Sequence, residues 1–225
     1  MSVVLAFDVY GTLIDTQGVT KTLQRHVGEL APEFARIWRE KQLEYSFRRG
    51  LMRSYQPFSV CIAQSLDYTT SLLGLSLPSS TRDELLQAYR TLPAFMDARA
   101  GLQQAADAGM RCFAFSNGAG DAVEGLLQQA GIREAFEGVV SVNDLQTFKP
   151  NPDVYDYFLR SSKGEADSSW LISGNPFDVI GAREAGMKAA WVKRSPAAVF
   201  DPWGIEPTVV IESLAGLVAA VKSHS

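Results

Sequence analysis

Val3-Val4-Leu5-Ala6-Phe7-Asp8-Val9-Tyr10-Gly11-Thr12 is the stretch on which the fold turns. A short apolar run that stops at a carboxylate and a glycine turn reads as a buried strand feeding a polar loop. Outward from it, similar runs recur at Arg111–Phe115, Val139–Val142, Trp170–Ile172 and Ala189–Val192. Helical segments separate them. Asp97–Ala108 closes on Gly109, Asp121–Ala130 on Gly131 and Asp178–Ala185 on Gly186, while Pro152–Leu159 opens on proline. Glycine just past a helix end suits the left-handed cap position, and proline suits the first turn. Buried strands alternating with helices predict an α/β fold: a parallel sheet with helices on both faces.

One interval breaks this rhythm. The first two strands stand about 100 residues apart, against roughly 30 for a simple strand–helix–strand unit. The interval reads as helical. Pro32 opens a long helix through Trp38 and Tyr45, Phe58–Leu73 ends at Gly74, and Thr81-Arg82-Asp83-Glu84 has the form of a capping box ahead of Leu85 and Leu86. The expected organisation is an inserted all-helical cap at residues 15–95 on a catalytic core made of residues 1–14 and 96–225.

Composition narrows the partners. The 225 residues are 46% apolar and carry a net charge of -4, so a sizeable core is possible and no general field favours nucleic acid or an anionic membrane. The opening apolar run is stopped by Asp8, far short of the ~18 residues a membrane span needs. Two cysteines, Cys61 and Cys112, suit buried thiols in a reducing cytoplasm better than a disulfide framework. The two histidines, His26 and His224, fall outside the strand ends. That argues against a Ser-His-Asp hydrolase, and the Cys and His spacing offers no zinc site.

Ligands of open α/β sheets bind beyond the carboxyl ends of the strands. Four segments deliver polar residues there: Asp8–Thr12, Ser116-Asn117-Gly118, Lys149-Pro150, and Ser173-Gly174-Asn175-Pro176-Phe177-Asp178. A lone aspartate after a strand is often only a turn cap; four concordant segments carry much more weight. They resemble the four ordered motifs of the haloacid dehalogenase superfamily. Within it the chain is similar to the L-2-haloacid dehalogenases, to which Trp38-Arg39-Glu40-Lys41-Gln42-Leu43-Glu44-Tyr45 is the most specific match, since phosphatase caps lack it.

The resemblance implies a Rossmann-like core, a homodimer, and hydrolysis of a short L-2-haloalkanoic acid to a D-2-hydroxy acid through an aspartyl ester, with no cofactor and no metal. Asp8, read as an exposed and already ionised carboxylate, is the implied nucleophile. Arg39, Asn117 and Phe177 cradle the departing halide. Ser116 and nearby amides hold the substrate carboxylate. Lys149 balances Asp8 and Asp178, and Asp178 with Thr12, Ser173 and Asn175 handles the hydrolytic water. Tyr10, Leu43, Phe58, Tyr155 and Phe177 form an apolar wall and gate.

Two positions separate this chain from the superfamily's phosphatases. Those enzymes carry a second Asp two positions after the nucleophile, where this chain has Tyr10, and an Asp after the fourth-motif glycine, where it has Asn175. A phenol with a pKa near ~10 is a poor acid–base group at neutral pH, and a neutral amide is a weak magnesium ligand. Halide leaves without a proton, so neither change harms its displacement. The alternatives are a Mg²⁺-dependent phosphatase on the same fold and a catalytically silent organic-acid binder, against which the intact nucleophile motif speaks.

Overall fold

The structure, a computed structural model, describes residues 2–224. Its strands are β1 (Val4–Asp8), β2 (Arg111–Ser116), β3 (Gly138–Ser141), β4 (Ser169–Ser173), β5 (Lys188–Val192) and β6 (Val209–Ile211). They form one parallel sheet in the order β3-β2-β1-β4-β5-β6. Both faces are buried, so the strands read as nearly continuous apolar runs. Alternation assigns the faces. Leu5, Phe7, Ala114, Ile172 and Val192 face one core, and Val4, Ala6, Phe115, Leu171 and Trp191 face the other.

Helices cover both faces. α1 (Thr20–Val27), α2 (Ala31–Leu51), α3 (Phe58–Leu72) and α4 (Ser79–Tyr89) follow β1, and α5 (Ala98–Asp107) leads into β2. α6 (Gly120–Gln129), α7 (Pro152–Ser162) and α8 (Pro176–Glu184) link successive strands from β2 to β5, and α9 (Leu217–Ser223) follows β6. Leu102 of α5, Leu126 of α6 and Leu217 of α9 pack in the first core, while Val154 and Phe158 of α7 with Val179 of α8 pack in the second. The first core continues past the sheet edge through Leu13 and Ile14 into Phe34, Trp38 and Leu66.

The two ends of the stretch holding α1–α4 are stitched side by side. Ile14 bridges Ala94, the Asp15 amide donates to the Pro93 carbonyl at 2.9 Å, and the Phe95 amide donates to the Leu13 carbonyl at 2.9 Å. The stretch therefore begins and ends at adjacent points just past the carboxyl end of β1.

Some elements differ from the sequence reading. Thr81–Glu84 is not a capping box. α4 begins two residues earlier, at Ser79 behind Pro78, and no side chain caps it. Glu84 is drawn instead to Arg25 at 2.6 Å and His26 at 3.0 Å of α1. α7 runs to Ser162, beyond the expected Leu159, and is closed by Lys163 in a left-handed conformation, with φ 55°. α1, β6 and α9 carry little local signal. Only Leu23 of α1 is buried, and β6 is a three-residue edge strand. Cys61 and Cys112 are free and buried, and burial pushes the Cys112 thiol up to about 12. Among the described residues no helix is long and apolar enough to cross a membrane.

Candidate active site

Parallel pairing brings every strand's carboxyl end to one edge, and register sets the levels. Asp8 ends β1 opposite Phe115, so Ser116 and Asn117 rise just beyond it on β2, and Phe7 pairs with Ile172, so Ser173 and Gly174 rise beyond it on β4. The backbone then turns sharply. Gly11 has φ +82°, and a Cβ on Gly174 would stand 2.5 Å from the Gly11 carbonyl oxygen. The β4 loop can close onto the β1 loop only because Gly174 has no side chain.

That closure surrounds Asp8 with donors. Thr12 Oγ1 donates to Asp8 Oδ2 at 2.7 Å and accepts the Gly174 amide at 2.8 Å. Asn175 Nδ2 donates to the same Oδ2 at 2.7 Å and to the Tyr10 carbonyl at 3.0 Å. Lys149 Nζ reaches Oδ1 at 3.2 Å. Asp8 is not the exposed carboxylate of the sequence reading, since only 7% of it is accessible. Its charge is met by the Lys149 cation and two neutral hydrogen-bond donors rather than by bulk water.

Lys149 is buried between two carboxylates. Besides Asp8, its ammonium donates to Asp178 Oδ2 at 2.9 Å and to the Phe115 carbonyl at 2.8 Å. Asp178 lies in the first turn of α8 and is fully buried. Burial pushes its carboxyl above the ordinary range. The Lys149 charge opposes that shift, the Asp8 charge adds to it, and hydrogen bonds from Lys149 and Tyr155 oppose it. The Tyr155 hydroxyl donates to Asp178 Oδ1 at 2.8 Å from beneath. A Cβ on Gly181 would stand 2.4 Å from that hydroxyl, so glycine lets α7 approach α8 closely enough to make this bond.

Arg39, from α2, reaches across to this edge. Its Nη2 donates to the Tyr10 carbonyl at 3.2 Å, and its Nη1 reaches Gln42 Oε1 at 3.4 Å. Gln42 Oε1 also takes the Tyr89 hydroxyl at 2.7 Å. Tyr10 stacks on Tyr89 at 5.9 Å and lies against Phe58 at 5.9 Å. Burial, then Tyr89, raises the Tyr10 phenol above its ordinary value, with Arg39 opposing, so Tyr10 stays neutral. A cavity of about 680 Å³ opens beside this ring, lined by Phe58, Ile62, Tyr89, Arg90, Gly118 and Leu126 among others. A Cβ on Gly118 would meet Tyr10 Cε2 and Ser116 Oγ, both at 3.5 Å. The Tyr10 ring and Ser116 thus both border Gly118, which with Tyr10 lines the cavity.

The remaining predicted residues fall as follows. Asn117 Oδ1 accepts the Lys149 amide at 2.9 Å, which commits its oxygen and leaves its amide donors for another partner. Ser116 Oγ accepts the Gly118 amide at 3.1 Å and Ser173 Oγ the Asn175 amide at 3.1 Å, so both brace their own loops. Phe177 is half-buried and packs edge-on against Phe47 at 4.9 Å. Leu43, one turn beyond Arg39 on α2, is half-buried. Three residues sit differently from their expected company. Tyr155 is fully buried under Asp178 rather than in an apolar wall, and Thr12 and Asn175 bond Asp8 rather than Asp178.

Sequence reasoning did not single out Gln42, Tyr89, Phe47 or Arg194. Arg194 Nη2 donates to the Thr12 carbonyl at 2.6 Å, and Nη1 pairs with Asp97 at 2.7 Å. Gln42 lies inside the Trp38–Tyr45 segment, so the motif passed over it while weighing its neighbours. Nothing local marks the other three.

A parallel sheet of this order, with a carboxylate pair beyond the ends of its central strands and a buried lysine between them, defines an α/β enzyme built around a strand-end carboxylate. The family model of haloacid dehalogenase-like hydrolases matches residues 3–186. An (S)-2-haloacid dehalogenase of Pseudomonas sp. (strain YL) is 31% identical over 214 residues, covering 95% of this chain and 92% of its own. Haloacetate dehalogenase H-2 of Moraxella sp. (strain B) is 30% identical, covering 95% of each chain. The structure of L-2-haloacid dehalogenase from Xanthobacter autotrophicus with chloropropionic acid covalently bound superposes with a TM-score of 0.93 at 30% identity, over 100% of both chains. The chain belongs to the haloacid dehalogenase-like hydrolases.

Proposed function

We propose that this chain hydrolyses short L-2-haloalkanoic acids to D-2-hydroxy acids, through an ester formed on Asp8 with inversion at C2 and without a metal ion. One observation carries the reading. The Asp8 carboxyl is locked by Thr12, Asn175 and Lys149, and the Arg39 guanidinium is delivered onto the adjoining Tyr10 carbonyl. A fixed nucleophile beside a fixed cation is what displacement of an anion from carbon requires.

Asp8 Oδ2 takes two bonds at 2.7 Å, whereas Oδ1 takes only Lys149 at 3.2 Å, so Oδ1 keeps a lone pair for attack. Its bond to C2 forms as the carbon–halogen bond breaks on the opposite side. The halide takes the bonding electrons toward Arg39, the free donors of Asn117 and the edge of Phe177. Ser116 and the amides that open α6 hold the substrate carboxylate. Water then adds to the Asp8 carboxyl carbon, its proton passing to Asp178; the bond from that carbon to the C2 oxygen breaks, Asp178 returns the proton to the leaving oxygen, and the hydroxy acid departs with Asp8 restored as a carboxylate. The raised pKa of Asp178 makes it a better base than an ordinary carboxylate. Asn175 aims an N–H at Asp8 Oδ2, which disfavours a cation at that oxygen.

Residues 15–95 serve as a cap over a core of residues 1–14 and 96–225, a division supported by the stitched ends at Leu13–Asp15 and Pro93–Phe95. Substrate enters by the cavity beside Tyr10. A cytoplasmic setting suits the two unpaired cysteines. A homodimer is supported by the exposed Leu51 and Met52 at the end of α2, and light scattering at twice the 24.6 kDa chain mass tests it.

The deciding experiment is chloride release from both enantiomers of 2-chloropropionate, with and without EDTA. Release from the L form alone, unchanged by chelation and reduced at least about 10⁴-fold in Asp8→Asn, is the expected result. Single turnover in H₂¹⁸O should place the label in Asp8. Label in the product alone would exclude the ester, and Mg²⁺-rescued phosphatase activity would replace the whole reading.

A further inference from the structure

Gln42 is wholly buried, yet among the described residues no group accepts from its Nε2. Buried amide donors are almost always paired, so this one calls for a partner the protein does not supply. The amide's orientation is fixed by its neighbours. Oε1 takes the Tyr89 hydroxyl at 2.7 Å and faces Arg39 Nη1 at 3.4 Å. Arginine cannot accept a hydrogen bond, so the reverse orientation would set NH₂ against guanidinium. Trp38 packs on Tyr89 at 5.1 Å and Tyr10 stacks on it at 5.9 Å, so the Tyr89 hydroxyl is held in place, and Gln42 through it. The result is a fixed amide whose Oε1 faces the guanidinium at 3.4 Å and whose Nε2 is left unpaired, one helical turn along the same face of α2.

We propose that Gln42 is a halide-binding residue: its Nε2 donates to the leaving halide beside Arg39, with Tyr89 as the positioning residue that fixes the amide. The proposal rests on the dehalogenase reading above and adds a member to its halide cradle. A neutral donor beside the cation stabilises the departing charge without adding a proton that the halide would have to shed. As the carbon–halogen bond breaks, the negative charge moves onto the halogen, and the Gln42 bond strengthens with it. It therefore acts on the transition state more than on the bound acid.

The test pairs a variant with a direct view of the ion. Gln42→Met keeps length and apolar volume but removes the donor. Chloride, measured as an inhibitor of bromide release from 2-bromopropionate, should bind about tenfold more weakly, the size of one charge-assisted hydrogen bond. kcat should fall with little change in KM. Wild-type crystals grown in bromide give a readout independent of any variant's folding, and the anomalous peak should contact both Arg39 and Gln42 Nε2. Unchanged chloride inhibition, a KM effect alone, or bromide away from Gln42 with water on Nε2 would each overturn the proposal. Bromide on Gln42 in a protein that releases no halide from any 2-haloacid would sink the dehalogenase reading while leaving the anion site standing.

Discussion

Asp178 shows at the scale of one residue how placement sets chemistry. Burial raises its carboxyl and the Asp8 charge adds to that, while the Lys149 charge and the hydrogen bonds from Lys149 and Tyr155 pull it back. Removing the Tyr155 hydroxyl therefore lets the pKa rise. A general base works deprotonated, so rate is lost as pH falls through that pKa. In Tyr155→Phe the acid limb of the kcat profile should move to higher pH by about one unit, the worth of one hydrogen bond to a charged group. Halide release measured across pH checks this, and an unmoved limb would mean that Asp178 is not the base. The identities of Asp8, Lys149 and Asp178 were legible because each follows a readable strand or turn. The Tyr155 contact was not. Within α7, Tyr155 reads as one more apolar core position between Val154 and Phe158, and only the approach of α8 gives its hydroxyl a partner.

At the scale of elements, the loop after β1 is held from below by a pair the motifs do not contain. Arg194, just beyond β5, bonds the Thr12 carbonyl and clamps Asp97 at the start of α5, and Asp97 in turn takes the Ser213 hydroxyl and the Leu214 amide, each at 2.9 Å. Burial pushes the Asp97 carboxyl up, but hydrogen bonds from Arg194, the Leu214 amide and Ser213, with the Arg194 charge, outweigh it and hold the carboxyl below its ordinary range. A carboxyl depressed by folding stabilises above its unfolded pKa, and that stability is lost as pH falls through the folded value. Asp97→Asn should cost about 1–3 kcal/mol in urea unfolding at pH 7, with the gap to wild type closing as pH drops below about 4. Equal midpoints at pH 7 would show the pair to be inert. Long elements with a buried stripe, such as α2 and α3, were readable from the chain. α1 was not, because tertiary contacts through Glu84 with Arg25 and His26 hold a helix that buries only Leu23.

At the scale of the molecule, the insertion does not have a core of its own. One apolar cluster runs from Leu5, Phe7 and Trp170 at the sheet through Val9, Leu13 and Ile14 to Phe34, Trp38 and Leu66. Cooperative units follow shared cores, so the insertion and the sheet should unfold together. Helix loss followed by circular dichroism and tryptophan fluorescence, with Trp38 on one side and Trp170 and Trp191 on the other, should give coincident urea midpoints. Two separated transitions would mean that the insertion melts alone. Shared packing also bears on the site, because Arg39 is carried by α2 while its acceptor, the Tyr10 carbonyl, is carried by the loop after β1.

The amino-acid sequence by itself determined the alternation of strand and helix and the edge on which the reactive groups collect. Both follow from local periodicity and from the rule that parallel strands end on one side. Only the tertiary structure decided which side chains meet. Lys149 lies between carboxylates 141 and 29 residues away, Tyr155 sits beneath Asp178, and Gln42 is paired with Tyr89 47 residues on. Periodicity records which face of an element is apolar. Distance, burial and the resulting charge balance arise only when faces from distant segments are brought together, and those quantities set the pKa of Asp178 and the unpaired donor of Gln42.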